Sequence, residues 1–359
     1  MRPVLKTLSA ALLLTVPLGA QHGADRRFRL DPVVLQEQGL ELPGRADLTA
    51  SWGRFEFCFA SAEGRARFVA DPERWGVQVG GACARMGPLS GEGRAGLWAV
   101  HDGRLYFFAS EGCRSTFLGE PERMLPHDHA PHPASAEEIE RGGALRDQLL
   151  SWAGGVGRLG RLEQVLLRSE RQVEEDGQQV SAGALFHWDL RRPPGWRQES
   201  WWGGSRWWRS LTADGGRLAG AGEIWTALPA QRRAMHEERA HSYLGSLEAA
   251  LRPDTFVASA GRGRLGEREV EWLQLAFDRV VNHLALDPAT GEVLALSYCG
   301  VGGPRLFYGK VERRYLGFRS EDGLQVPAGY SVWFDGERQD GQERSFQLAV
   351  VDPGRAAGG

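Results

Sequence analysis

The densest run of metal-ligand types in the chain is His127-Asp128-His129-Ala130-Pro131-His132. Imidazoles and a carboxylate at this spacing can hold Zn, Ni or Cu. Pro131 and Pro133 also deny the run regular structure, so a solvated linker is the other reading. Cys83 and Cys113 add thiols. Neither they nor Cys58 and Cys299 form a C-x-x-C pair, so a four-thiolate zinc site has no local support. Buried apolar thiols, or one disulfide among the first three in an oxidising compartment, account for the cysteines equally.

Aromatic chemistry is concentrated in Trp201, Trp202, Trp207 and Trp208, on two strand segments that face each other across Gly203-Gly204. Side chains alternate along a strand, so one ring of each adjacent pair faces each side of the sheet. One side can line an apolar cavity; ordinary core with cross-strand pairing, or stacking on carbohydrate, are the alternatives. Trp272 and Phe277 fall on opposite parities of a later strand, so at most one of them joins that lining. Catalytic sets are missing: there is no G-x-S-x-G elbow, no H-E-x-x-H helix and no Gly-Lys phosphate loop. Gly261-Arg262-Gly263-Arg264-Leu265-Gly266 matches G-x-G-x-x-G, but in a hairpin of a β-rich region, where no dinucleotide is expected. His236 and His241 lie on a predicted helix about 140° apart, a poor angle for one shared metal. The chain reads as non-enzymatic.

The elements that must position these groups come next. With 359 residues and a net charge of −3, there is room for two or three domains and no strong pull toward nucleic acid or anionic lipid. Forty-eight glycines against four methionines suggest turns and strands. Arg2, Lys6 and the apolar run Leu8 to Leu18, ending at Ala20, predict a signal peptide over 1–20 with cleavage before Gln21. The run is too short to span a bilayer, and no cysteine follows it for a lipid anchor. A periplasmic or secreted location, soluble after cleavage, is expected.

A gapless internal repeat follows. Phe59-Ala60-Ser61 through Pro72-Glu73-Arg74 aligns with Phe108-Ala109-Ser110 through Pro121-Glu122-Arg123. In each copy an apolar strand leads to a Ser that can cap a helix. The helix carries one aromatic inward, Phe68 or Phe117, and cannot run past Pro72 or Pro121. One such unit buries little, whereas two share a core.

This pattern, with Asp31-Pro32-Val33 upstream and Gly80-Gly81-Ala82-Cys83-Ala84 between the copies, resembles the YHS domain over residues 27–126. The resemblance implies a small hairpin-and-helix fold and, through the family's cysteines, Zn or Cu binding. Val34, Ala60, Ala109 and Gly64 stand where such cysteines would be, and only Cys113 keeps its place. The resemblance therefore implies the fold more than the metal.

Residues 127–136 are a His/Pro linker. Ser135 then caps a helix with Glu137 and Glu138 in its first turn, closed by Gly154-Gly155. Beyond Leu159 come long strands and Gly-containing turns, which predict antiparallel hairpins. A helix is predicted over 229–251, five strands over 255–318, and a last hairpin of 325–334 with 344–351. Leu286-Asp287-Pro288-Ala289-Thr290-Gly291-Glu292-Val293 and Tyr315-Leu316-Gly317-Phe318 through Val326-Pro327 resemble the final strands of LolA-like half-barrels of the outer-membrane lipoprotein-sorting type, over 137–352. That resemblance implies a curved antiparallel sheet around helices, an α+β protein, and an apolar ligand: a lipid, an acyl chain or a lipoprotein, met in a peripheral membrane encounter. The sequence thus predicts an exported binding or carrier protein with an accessory repeat module. The alternative is metal binding or metal-stress handling through Cys83, Cys113, His127, His129 and His132.

Overall fold

The repeat seen in the sequence is a repeat in space. The computed structural model describes residues 26–126, 130–191 and 194–353; the expected signal segment and His127, Asp128 and His129 lie outside the described residues. The first copy is a hairpin, Arg45–Trp52 with Phe55–Phe59, followed by the helix Ala62–Ala70. The second is Arg94–His101 with Arg104–Phe108 and the helix Glu111–Gly119. Both helices start as expected: Ser61 Oγ accepts from Gly64 N–H at 3.0 Å and Ser110 Oγ from Cys113 N–H at 3.2 Å. The hairpin turn Asp102-Gly103 has φ of 48° and 64°, which an Asp-Gly pair tolerates at little cost. Phe68 packs 4.9 Å from Phe57, and Phe117 packs 5.3 Å from Phe108. All four rings are buried, each burial contributing about 1.5–3 kcal/mol.

The helix Ala136–Ala153 opens with a capping box between Ser135 and Glu138. It lies against the strand Phe256–Leu265 so closely that a Cβ on Gly142 would come within 2.4 Å of the Ala258 backbone. Arg141 forks onto the buried Glu271 carboxylate at 2.7 and 2.5 Å. Leu145 and Leu149 of the helix enter the main core.

The remaining chain forms mostly antiparallel strands. Strand pairing divides them into a seven-stranded sheet, six strands from 162–226 plus the last strand of the chain, and an eight-stranded sheet built from 256–345, where a single curved sheet was expected. The last strand, Leu348–Pro353, does not complete a hairpin with 329–334. It crosses over and pairs with Leu162–Glu175 at the edge of the seven-stranded sheet. Arg344–Ser345 pairs with the eight-stranded sheet, so one short segment ties the two sheets together. Between them sits the core of Leu145, Leu149, Val165, Trp188, Trp196, Leu218, Met235, Leu244, Leu273 and Leu296.

The helix expected over 229–251 is two helices, Pro229–Ala240 and Tyr243–Leu251. Ser242 makes the break: its hydroxyl donates to Arg239 O at 2.6 Å and accepts from Gly245 N–H at 3.0 Å, ending one helix and starting the next. The second repeat closes one end of this assembly, since Tyr106, Phe108, Phe117 and Met124 share a buried cluster with Phe307, Val311 and Phe334 of the eight-stranded sheet. No described helix is long and apolar enough to cross a membrane.

Candidate functional site

The break at Ser242 opens a cleft between the two sheets. Leu167, Phe186, Trp188 and Trp196 come from the seven-stranded sheet, Arg313, Tyr315 and Tyr330 from the eight-stranded sheet, and Tyr243 and Leu244 from the helix after the break. Phe346 and Arg344 of the segment that ties the sheets complete the wall. The cavity itself is about 120 Å³, with further space at its open mouth. Strand register explains the convergence. Trp188 and Trp196 are direct partners across adjacent strands, as are Tyr315 and Tyr330. Phe186 stacks on Trp188 at 5.8 Å.

Arg313 occupies an inward position, in register with Leu296 and Val332, where apolar residues would ordinarily stand. Its guanidinium donates to the His241 carbonyl and lies 5.2 and 5.3 Å over the Tyr298 and Tyr330 rings. His241 is itself fixed, its ring stacked 4.0 Å from Tyr298 and its Nδ1 2.6 Å from Asn282 Oδ1. Burial drives the phenols of Tyr243 and Tyr315 well above their ordinary range, so both are neutral hydrogen-bond donors.

A second cluster lies in the repeats. Cys83 and Cys113, on different segments, share one buried cluster, close enough to perturb each other's ionisation. The interaction with Cys83, helped by Ser110 and Arg85 against burial, holds the Cys113 thiol below its ordinary range, while the same interaction and burial push Cys83 up. All four cysteines are free thiols, and Cys58 sits apart in the core of the first hairpin. The corresponding place in the first repeat is held by Asp31, which is fully buried. Its Oδ1 accepts from Val33 N–H and Val34 N–H at 2.9 and 3.1 Å, and its Oδ2 from Ala60 N–H at 2.9 Å.

Among the described members of the expected metal set, His132 lies apart from Cys83 and Cys113. His132 lies on the outer side of the eight-stranded sheet, its N–H bonded to Gln274 Oε1 at 2.9 Å and its ring 5.8 Å from that of His283. His283 is pushed down to about 4 by burial, then by His132 and Lys310. Among the described residues, the three-ligand cluster within metal-holding reach is His101, Asp102 and Glu122, at the surface, and it includes no cysteine. His127 and His129 lie outside the described residues.

The tryptophan pairs obey alternation. Trp202 and Trp207 share the face of Trp196; Trp201 and Trp208 share the opposite face. On that outer face, Trp201 donates to Ser181 Oγ at 2.9 Å and Arg197 lies 4.7 Å over Trp208. Phe277 packs against the main core, and Trp272 faces the other way beneath Lys310 at 5.7 Å. None of these six rings lines the cleft described above; Trp272 lines the outer groove with His132 and His283. The residues that do line the cleft carried two signals in the sequence. Arg313 falls at an inward parity between apolar neighbours, and Ser242 is followed three residues on by Gly245, as a cap would be.

No family model and no curated protein matches the chain. Three solved structures align with it at low identity. One is a domain assigned to outer membrane lipoprotein sorting from Vibrio parahaemolyticus: 10% identity, 61% of this chain and 95% of that one, TM-score 0.35. A DUF1329 family protein from Desulfovibrio piger gives 9%, 60% and 90%, TM-score 0.33. A LolA superfamily protein from Nitrosomonas europaea gives 12%, 57% and 90%, TM-score 0.32. At scores this low the likenesses carry no functional argument.

Proposed function

We propose that this chain is an exported, non-enzymatic binding or carrier protein for an apolar ligand, a lipid, an acyl chain or a lipoprotein, with the YHS-like repeats as an accessory module. The observation that carries this reading is the cleft of Phe186, Trp188, Trp196, Tyr243, Tyr315 and Tyr330, formed where two sheets and a broken helix meet. Apolar walls with a few placed polar groups are the usual form of a small-ligand site. Each CH₂ buried contributes about 0.8 kcal/mol, roughly fourfold in affinity. Delipidated full-length protein titrated with fatty acids from eight to sixteen carbons should show saturable changes in tryptophan fluorescence that tighten with chain length. They should weaken in Trp196→Ala. No saturable response to any chain length would overturn the reading.

The Cys83–Cys113 pair favours a second reading. With no third His, Cys, Asp or Glu ligand in reach among the described residues, the pair does not suit tetrahedral zinc, which wants four ligands. Two adjacent thiolates suit Cu(I), a soft ion content with two sulfurs. In that role Cys83 and Cys113 would hold the ion, and the first repeat, with Asp31 in place of the thiols, would not.

A further inference from the structure

The polar groups of the aromatic cleft are nearly all donors. Tyr243 lines the cleft, is 4% exposed, and has a buried hydroxyl with no hydrogen-bond partner. Trp188, equally buried, leaves its Nε1–H unpartnered on the same wall. An unpaired buried donor costs about 1–3 kcal/mol, so two in one cleft need a reason. Two guanidiniums face the same space. Arg313 has one carbonyl acceptor and two aromatic faces. Arg344 lies 4.9 Å over Phe186 and has no carboxylate partner among the described residues. Glu238 is the one carboxylate in the described lining, and it is held by Arg209 at 2.6 Å. The cleft therefore carries surplus positive charge and unfilled donors, and its one described carboxylate is already engaged.

From this we infer that the cleft takes an amphiphile whose polar end is an oxyanion, a carboxylate or a phosphate monoester, with Arg313, Arg344 and Tyr243 on the head and the aromatic walls on the chain. An uncharged head offers too few lone pairs for these donors. An oxyanion offers two or three oxygens, and hydrogen bonds from a guanidinium to an anion are about twice as strong as neutral ones. A quaternary ammonium, which aromatic rings can also attract, is opposed here by the two arginines. The inference rests on the apolar-ligand reading and names the head group that reading leaves open.

The test holds the chain constant and varies the head. Full-length delipidated protein is titrated with laurate, dodecyl phosphate, dodecanol and dodecyltrimethylammonium, each below its micelle concentration. At least one of the two anions should bind about tenfold or more tighter than dodecanol, and the stronger of them identifies the head as carboxylate or phosphate. Arg344→Gln should remove most of that preference, weakening the anions far more than dodecanol, and Tyr243→Phe should remove about threefold of it. Arg344 is half-buried on a short edge strand, so its variant tests the head group without the risk to folding that Arg313 carries. Equal binding of anion and alcohol, or tightest binding of the cation, would overturn the inference while leaving the apolar site intact. No binding of any of the four would overturn the site itself.

Discussion

The two repeats close the same strand-to-helix turn with different chemistry. In the first copy the Ala60 N–H is taken by the Asp31 carboxylate, which also caps its own helix through Val33 and Val34. In the second copy the Cys83 thiol stands near the matching Ala109 N–H, which lowers its pKa slightly against burial. Gly64, which leaves room for Asp31, corresponds to Cys113, whose side chain reaches Cys83 instead. A carboxylate with three N–H donors is satisfied and does nothing further. A thiol pair beside Arg85 is poised to ionise, to ligate a soft metal or to become a disulfide. One backbone plan thus carries a structural clasp in one place and a reactive pair in the other.

The largest effect should come from removing the clasps. Asp31→Ala strands one buried and two part-buried N–H groups and should cost about 3 kcal/mol, against about 1–2 kcal/mol for Cys83→Ala. Guanidinium unfolding of the full-length protein measures both, and equal losses would erase the distinction between the copies. The next effect concerns ligation. Reduced protein competing with a chromogenic chelator should take one Cu(I) per chain. Cys113→Ser and Cys83→Ser should each weaken that by about a hundredfold, while Cys58→Ser and Cys299→Ser should not. Retention of Cu(I) by the Cys113→Ser variant would end the second functional reading. The smallest effect is at Gly64, where an added Cβ would sit 3.0 Å from Asp31 Oδ2. Gly64→Ala should destabilise by about 1 kcal/mol in the wild type and by less, or not at all, in Asp31→Ala, because alanine is otherwise the better helix residue. Additive losses would mean that Asp31 does not govern that position.

The sequence made the repeat legible because its signals are local: Ser61 and Ser110 at caps, Phe68 and Phe117 inward, Pro72 and Pro121 as stops. The box at Ser135 and the strands Arg268–Phe277 and Val280–Leu286 were readable for the same reason. The clasp of Asp31 on Ala60 was not, since nothing between them marks the contact. The aromatic cleft was hidden more deeply. It joins Phe186, Tyr243, Tyr315 and Phe346, which meet only after both sheets have formed, whereas the adjacent tryptophans at 201–208 drew attention by their density. Alternation did place those tryptophans on alternate faces, but it did not say which inward positions face the cleft and which face solid core. The helix over 229–251 looked continuous because a single Ser in a helical pattern is a weak stop, and only its two hydrogen bonds make it a strong one.

The pairing of Leu348–Pro353 with Leu162–Glu175 has a consequence for the order in which the molecule is made. Each repeat pairs its hairpin within a short span of chain, although the second leaves Tyr106, Phe108 and Phe117 to be covered later by Phe307, Val311 and Phe334. The seven-stranded sheet has to wait for the last strand, because Leu348 meets Arg168 and Val351 meets Val165 across nearly the whole second block. Pairings of such separation form slowly. Until they form, Leu162–Glu175 shows a bare row of N–H and C=O groups to any passing strand. The edge at Leu162–Glu175 is thus the last to be covered, and it is the place where a chain lacking 348–353 would be open to pairing with another strand.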